Sequence, residues 1–176
     1  PDNAILTNGA GNFAIWPNKL FRFRGRQRLL APQSGAMGYG LPAAVAAKIE
    51  RPDSPVICFA GDGDFQMNGT ELGTAAQMGA AIVVLVVNNG SYGTIRMHQE
   101  RHYPGRVSAT RLVNPDFTAL ARAYGLHGER VERTHEFANA FARALASPHG
   151  AVLDLAVSEE AITKRQTLSA IAAAAE

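Results

Sequence analysis

A chain of 176 residues is long enough for one domain with a substantial core. With 47% apolar and 18% charged residues it is neither disordered nor fibrous, and a formal charge of only +2 argues against a nucleic-acid or membrane-surface partner. The single cysteine, Cys58, excludes an internal disulfide, and the longest apolar run covers eight residues, 80–87, against the roughly 20 of a membrane span. No leader segment is visible, so the expectation is a cytoplasmic protein; the start at Pro1, without an initiator methionine, reads as a cut from a longer polypeptide.

In chain order, residues 4–8 read as a strand ending at Gly9-Ala10-Gly11. Lys19, Arg22, Arg24, Arg26 and Arg28, interleaved with Phe21 and Phe23, read as a basic strand or loop at a surface or domain interface rather than a nucleic-acid site. Gly40-Leu41-Pro42 opens a helix to about residue 50, with the proline in its first turn. Residues 55–60 form a continuous apolar strand broken by Gly61-Asp62-Gly63; 69–79 read as a helix closed by Gly79; 81–87 form a second apolar strand, stopped by Asn88-Asn89-Gly90. Beyond a polar loop, Asn114-Pro115-Asp116 supplies a cap, a proline and an early acid for a helix ending near Gly125. Thr134 caps a helix running toward Pro148, 151–157 form a last strand, and 159–175 read as helix. The reading is therefore one domain over 1–157 and a C-terminal helical arm over 158–176. Unbroken apolar strands alternating with helices predict an α/β fold, an open parallel sheet with helices on both faces.

In such sheets ligands bind beyond the carboxyl ends of the strands. Gly61-Asp62-Gly63 and Asn88-Asn89 follow successive strands, with 24 residues between Gly63 and Asn88, enough for one helix and one strand. If those strands are neighbours in a right-handed unit, Asp62 and Asn89 emerge at one edge, within reach of one small ion. A carboxylate and an amide oxygen are hard ligands, suited to magnesium or calcium. Gly61 and Gly63 allow close backbone approach, and the following helix directs free amides toward a phosphate. Either piece alone is an ordinary turn; together, at this spacing, they are a metal-and-anion cradle.

These residues carry a resemblance. Gly61-Asp62-Gly63, then Asn88-Asn89, is similar to the thiamine-diphosphate motif of the decarboxylase and acetohydroxyacid (acetolactate) synthase superfamily. Gly35-Ala36-Met37-Gly38-Tyr39-Gly40-Leu41-Pro42-Ala43-Ala44 resembles the synthase segment before its cofactor helix, and Phe65, Met67, Glu71-Leu72 and Thr74 also fall where synthases place similar residues. The likeness covers about residues 4–157 and implies the thiamine-diphosphate-binding fold of a C-terminal cofactor domain. It implies that Asp62, the Asn89 side chain and the Ser91 carbonyl hold Mg2+, and that the Gly63 and Asp64 amides face the diphosphate. Gly93 would sit in the loop over that group, Met37 would wedge beneath the bent cofactor, and the Met37 amide and Gly35 carbonyl would bond the aminopyrimidine. It further implies a lyase or carboligase in which the cofactor decarboxylates a small 2-keto acid and passes the fragment to a proton or a second carbonyl. The activating glutamate belongs to a pyrimidine-binding domain, usually from a neighbouring subunit of a homo-oligomer, and no segment here resembles that domain. Half a site is expected, inactive alone.

The pattern departs from synthases in places. Their glutamine-histidine pair near the diphosphate corresponds to Asn12 and Phe13; Asn12 keeps a donor, the imidazole is gone. In Thr94-Ile95-Arg96-Met97-His98, His98 stands where synthases that favour 2-ketobutyrate as acceptor carry tryptophan. His98, with Ile95 beside it, reads either as a substrate-pocket residue or as a solvated loop histidine. A 2-keto acid decarboxylase or other carbon–carbon lyase therefore stands beside the synthase reading. A nucleotide-binding module is disfavoured because Gly9-Ala10-Gly11-Asn12-Phe13-Ala14 lacks the third glycine of a dinucleotide fingerprint. A cofactor-binding module without catalysis is the remaining alternative.

Overall fold

The computed structural model describes residues 1–175. Its centre is a six-stranded, wholly parallel sheet in the order β2-β1-β3-β4-β6-β5, built from β1 (Ile5–Asn8), β2 (Arg28–Leu30), β3 (Val56–Gly61), β4 (Val83–Asn88), β5 (His127–Val131) and β6 (Ala151–Ala156). The helices are α1 (Ile15–Leu20), α2 (Gly40–Glu50), α3 (Asp62–Asn68), α4 (Glu71–Gln77), α5 (Gly93–His102), α6 (Phe117–Ala123), α7 (Phe137–Ala146) and α8 (Leu168–Ala173). Among the described residues no helix is long and apolar enough to cross a membrane.

Successive strand residues point to opposite faces, so an unbroken apolar run fills two cores at once. Cys58, Ala60, Val84, Val86 and Val152 join Leu41 of α2, Leu72 of α4 and Phe117 of α6 in one cluster. Ile57, Val83, Leu85 and Leu153 join Ala140 and Ala144 of α7 in the other, with Phe21 and Leu29 packed against its edge. Helices on both faces of a parallel sheet are the predicted architecture.

The corrections are local. Residues 69–79, read as one helix, are preceded by a helix that starts at Asp62 itself, and the pair breaks at Gly69-Thr70. The polar loop after Asn89 contains the ten-residue α5, which has little apolar surface but carries an Arg96–Glu100 ion pair one turn apart and buries Met97. The cap of α6 is Asp116, not Asn114: its Oδ1 accepts from the amides of Thr118 and Ala119, both at 2.9 Å. Thr134 opens a short 3-10 turn, and Glu136 bonds back to the amides of Glu132 and Arg133, each at 3.1 Å, before α7 begins. Strands β2 and β5 lie at the two edges and were not read from the sequence as such.

The helical arm is confined to Leu168–Ala173. Upstream, the Thr163 hydroxyl accepts from the amides of Arg165 (3.2 Å) and Gln166 (2.9 Å) and donates to the Gln166 carbonyl (2.9 Å), a local turn that competes with helix. Rather than projecting, the segment folds back: Ile162, Leu168 and Ile171 bury with Met97 of α5 in a third cluster. Glu176 lies outside the described residues.

Candidate cofactor site

From β1 the chain turns to β2 on one side; from β3 it leaves for β4 on the other. The loops after β1 and β3 therefore diverge, and this switch point is where an open parallel sheet leaves a crevice. A cavity of about 440 Å³ opens there, within the range of small-molecule sites. The loop after β1 contributes Asn12 and Phe13, the end of β3 and start of α3 contribute Gly61 to Asp64, and the loop after β4 contributes Asn89, Ser91 and Gly93. Gly35 and Met37 come from the segment before α2, and Ile95 from the first turn of α5.

Strands β3 and β4 pair directly, Gly61 opposite Val87, so Asp62 and Asn89 follow adjacent strand ends. Asp62 Oδ2 accepts from the Gly90 amide at 2.8 Å, and Asn89 Oδ1 accepts from the Ser91 amide at 3.0 Å: consecutive amides of one loop hold both side chains. That loop is pinned by a short antiparallel bridge, in which the Tyr92 amide donates to Thr110 at 2.8 Å and the Leu112 amide to Gly90 at 2.9 Å. The Ser91 carbonyl accepts from the Gly93 amide at 2.8 Å and keeps a second lone pair.

Two buried carboxylates face the cavity. Asp62 is 2% exposed and Asp64 3% exposed, and among the described residues neither forms an ion pair. Burial pushes the Asp62 pKa up, against the lowering effect of hydrogen bonds from Asn114, Gly63 and Gly90. Burial raises Asp64 to about 6, against bonds from the Gly38 amide (2.7 Å) and the Ala10 amide (3.3 Å). Asp64 thereby ties the segment before α2 and the loop after β1 to the start of α3. The glycine it touches is required: a Cβ at Gly9 would fall inside the Asp64 carboxylate.

The donor set fits a hard dication. A buried carboxylate without a cationic partner, an amide oxygen and a main-chain carbonyl surround one edge of a glycine-lined cavity. The Ser91 hydroxyl beside them is buried and has no hydrogen-bond partner among the described residues. A Cβ at Gly63 would collide with the Tyr92 ring, so the bare backbone there keeps the cradle open. The Gly63 amide, expected to face a diphosphate, bonds Asp62 Oδ1 at 3.0 Å.

Two expected residues stand differently. His98 is not among the residues lining the cavity: only the first turn of α5 reaches it, and His98, exposed one turn on, stacks with His102 at 6.5 Å between ring centroids. Asn12 lines the cavity, but its Nδ2 is taken by the Ile162 carbonyl (3.0 Å) and Met97 Sδ (3.3 Å), and its Oδ1 accepts from the Thr94 hydroxyl (3.1 Å). Its amide ties down the C-terminal segment rather than offering a donor to a ligand.

Other site residues were not legible in advance. Trp16, Tyr92 and Thr94 form walls, and Val157 to Ile162 closes the cavity from the tail. Asn114 touches Asp62 from a loop 52 residues away. Its proximity to Pro115 and Asp116 signalled a helix start and nothing more.

Against known proteins, the family described as thiamine pyrophosphate enzyme, C-terminal TPP binding domain, matches residues 9–155. The chain is 37% identical over 162 residues to an acetolactate synthase of Arthrospira platensis, covering 91% of the chain and 28% of that protein. It is 38% identical over 159 residues to an acetolactate synthase large subunit of Parasynechococcus marenigrum (89% of the chain, 26% of that protein). It is also 38% identical over 152 residues to a mitochondrial acetolactate synthase catalytic subunit of Saccharomyces cerevisiae (86% and 22%). The chain thus spans about a quarter of the length of these relatives.

Proposed function

The chain belongs to the thiamine pyrophosphate enzymes, as their C-terminal TPP-binding domain, and on that premise we propose that it grips the diphosphate of thiamine diphosphate through Mg2+ held by Asp62, Asn89 and the Ser91 carbonyl. The enzyme it serves is an acetolactate-synthase-like carboligase or decarboxylase of small 2-keto acids. The observation that carries the metal reading is the uncompensated, buried Asp62 beside Asn89 on adjacent strand ends. When bound, the cofactor supplies the reactive carbon that this chemistry requires.

The chain's own residues bind and orient. Asp62 supplies the negative charge that a dication and a diphosphate need between them, and Asn89 and Ser91 supply neutral oxygens. The Asp64 amide, in the first turn of α3 and without a helical acceptor, and Gly93 at the start of α5 take the diphosphate. Met37 and the exposed Gly35 border the pyrimidine end, and the tail from Val157 to Ile162 keeps water from the metal side. The activating glutamate comes from a pyrimidine-binding domain, in the usual arrangement from a neighbouring subunit of a homo-oligomer. The exposed Tyr39 (38%) and Met67 (50%) beside the glycine segment support such a covering partner. The yeast relative is mitochondrial by name, so the domain itself does not commit the protein to the cytoplasm.

A 2-keto acid decarboxylase or other carbon–carbon lyase is the alternative raised by His98 in place of the synthase tryptophan; with His98 exposed and outside the cavity, that position lends it no support. Calorimetric titration of thiamine diphosphate with and without Mg2+ tests the metal reading. Asp62→Ala abolishes magnesium-dependent binding, and Asn89→Ala weakens it less. Equal affinity in wild type and Asp62→Ala would overturn it.

A further inference from the structure

Asn114 has no counterpart among the expected ligands, yet among the described residues it is the one side chain that hydrogen-bonds the Asp62 carboxylate. Because Asp116 caps α6, Asn114 is free to cross to the ends of β3 and β4. Its Nδ2 donates to Asp62 Oδ2 at 2.7 Å and to Asn88 Oδ1 at 2.9 Å, and its Oδ1 accepts from Gln66 Nε2 at 2.8 Å. The direction of these bonds is forced from the far end of the network. Arg130, which can only donate, bonds Asp154 Oδ2 at 2.6 Å; Asn88 Nδ2 donates to Asp154 Oδ1 at 2.9 Å; Asn88 Oδ1 is therefore an acceptor and must face the Asn114 amino group. Among the described residues the one cation of the network, Arg130, is spent on Asp154, and Asp62 forms no ion pair.

The bonds also distinguish the two oxygens of Asp62. Oδ2 accepts from both the Gly90 amide and Asn114, which fills its two lone-pair directions; among the described residues Oδ1 accepts from the Gly63 amide alone and keeps one open. Resting on the magnesium reading above, we infer that Asn114 is a positioning residue that holds Asp62 to one-oxygen coordination through Oδ1 and so selects Mg2+ over Ca2+. Magnesium demands a compact, near-octahedral shell, whereas calcium accepts both oxygens of a carboxylate and irregular geometry. Loss of the Asn114 bond opens one lone pair of Oδ2, the Gly90 amide keeping the other, and so relaxes the restriction that favours the smaller ion.

The test uses the chain with saturating thiamine diphosphate, its single tryptophan, Trp16, reporting occupancy of the cavity it lines. The concentration of MgCl2 or CaCl2 giving half-saturation is measured for wild type, Asn114→Ala and Gln66→Leu, with circular dichroism to verify folding. Asn114→Ala raises the Mg2+ requirement about 10–100-fold, the range for loss of a group that orients a metal ligand, while the Ca2+ requirement changes by less than about threefold. Gln66 is exposed, so its replacement leaves the fold intact; by loosening Asn114 it gives a Mg2+-selective loss of about three- to tenfold, and it decides alone if Asn114→Ala does not fold. Equal losses for both ions denote a merely structural residue and overturn the inference, as does an unchanged Mg2+ requirement. A wild type that binds the cofactor without regard to either ion overturns the magnesium reading and this inference with it; a wild type that responds while its variants match it overturns the inference alone.

Discussion

Gly9→Ala isolates the way Asp64 holds the site together. A methyl group at residue 9 would occupy the space of the Asp64 carboxylate, so Asp64 has to swing away from the Gly38 and Ala10 amides it now accepts at 2.7 and 3.3 Å. Forcing a methyl into a packed interior costs about 1–3 kcal/mol. Leaving the buried Gly38 amide without an acceptor costs about 1–3 kcal/mol more, and the longer Ala10 bond contributes less. A loss of about 2–6 kcal/mol is a large share of the roughly 5–15 kcal/mol that holds a typical domain. For a chain of this size it lowers Tm by roughly 4–24 °C. The assay is thermal and urea unfolding of wild type, Gly9→Ala, Asp64→Ala and the double variant, without metal or cofactor. Because Asp64→Ala vacates the space that the new methyl needs, the double variant is more stable than the two single losses added together, by at least about 1 kcal/mol. Additive losses, or a Gly9→Ala melting point within about 2 °C of wild type, would refute the clash as the reason for glycine at this position.

The raised pKa of Asp64 has a signed consequence. Between its unfolded value near 4 and its folded value of about 6, the folded chain holds a proton that the unfolded chain has released, so stability falls as pH rises through that window, by roughly 2–3 kcal/mol. Urea unfolding from pH 4 to pH 7 in metal-free buffer measures the slope, and Asp64→Asn removes it; a slope that persists in the variant belongs to other groups. Burial pushes the Cys58 thiol up to about 12, and the residue is fully buried, so a thiol reagent at pH 8 modifies it only at the rate of global unfolding; fast labelling of the native chain contradicts the packing around β3. Truncation after Val157 removes Ile162, Leu168 and Ile171, each worth about 1.5–3 kcal/mol of burial before conformational entropy is subtracted, and opens the cavity on the side of Asn89 and Gly93. A truncated chain with unchanged melting temperature and unchanged cofactor affinity would show that the tail is dispensable. On the proposed division of the site, with the activating glutamate supplied by another domain, the chain alone with pyruvate, cofactor and Mg2+ releases no carbon dioxide above the cofactor blank; turnover, with contamination excluded, overturns that division.

The parallel sheet, the helices on its two faces and the two loops that end β3 and β4 at one edge were legible in the sequence, because each rests on a local signal. Val56 to Ala60 and Val83 to Val87 are apolar at every position, a demand that only a strand covered on both faces makes, and Gly61-Asp62-Gly63 and Asn88-Asn89 end those strands at one edge. The weak elements escaped for the same reason: α5 has little apolar surface to announce a helix, and the short edge strands β2 and β5 carry charged residues. What only the tertiary structure decided are pairings across long sequence separations, where a side chain's partner depends on which loops the sheet order brings together. Asn114 looked like a helix cap until Asp116 took that role, and Asp62 is its partner only because the loop before α6 crosses the ends of β3 and β4. Asn12 looked like a cofactor donor until the tail, folding back onto Met97, placed the Ile162 carbonyl against its amide. A residue type and its spacing carry the chemistry it can perform; which neighbour uses that chemistry is set by topology, because hydrogen bonds act over about 3 Å while the partners here lie 52 and 150 residues apart.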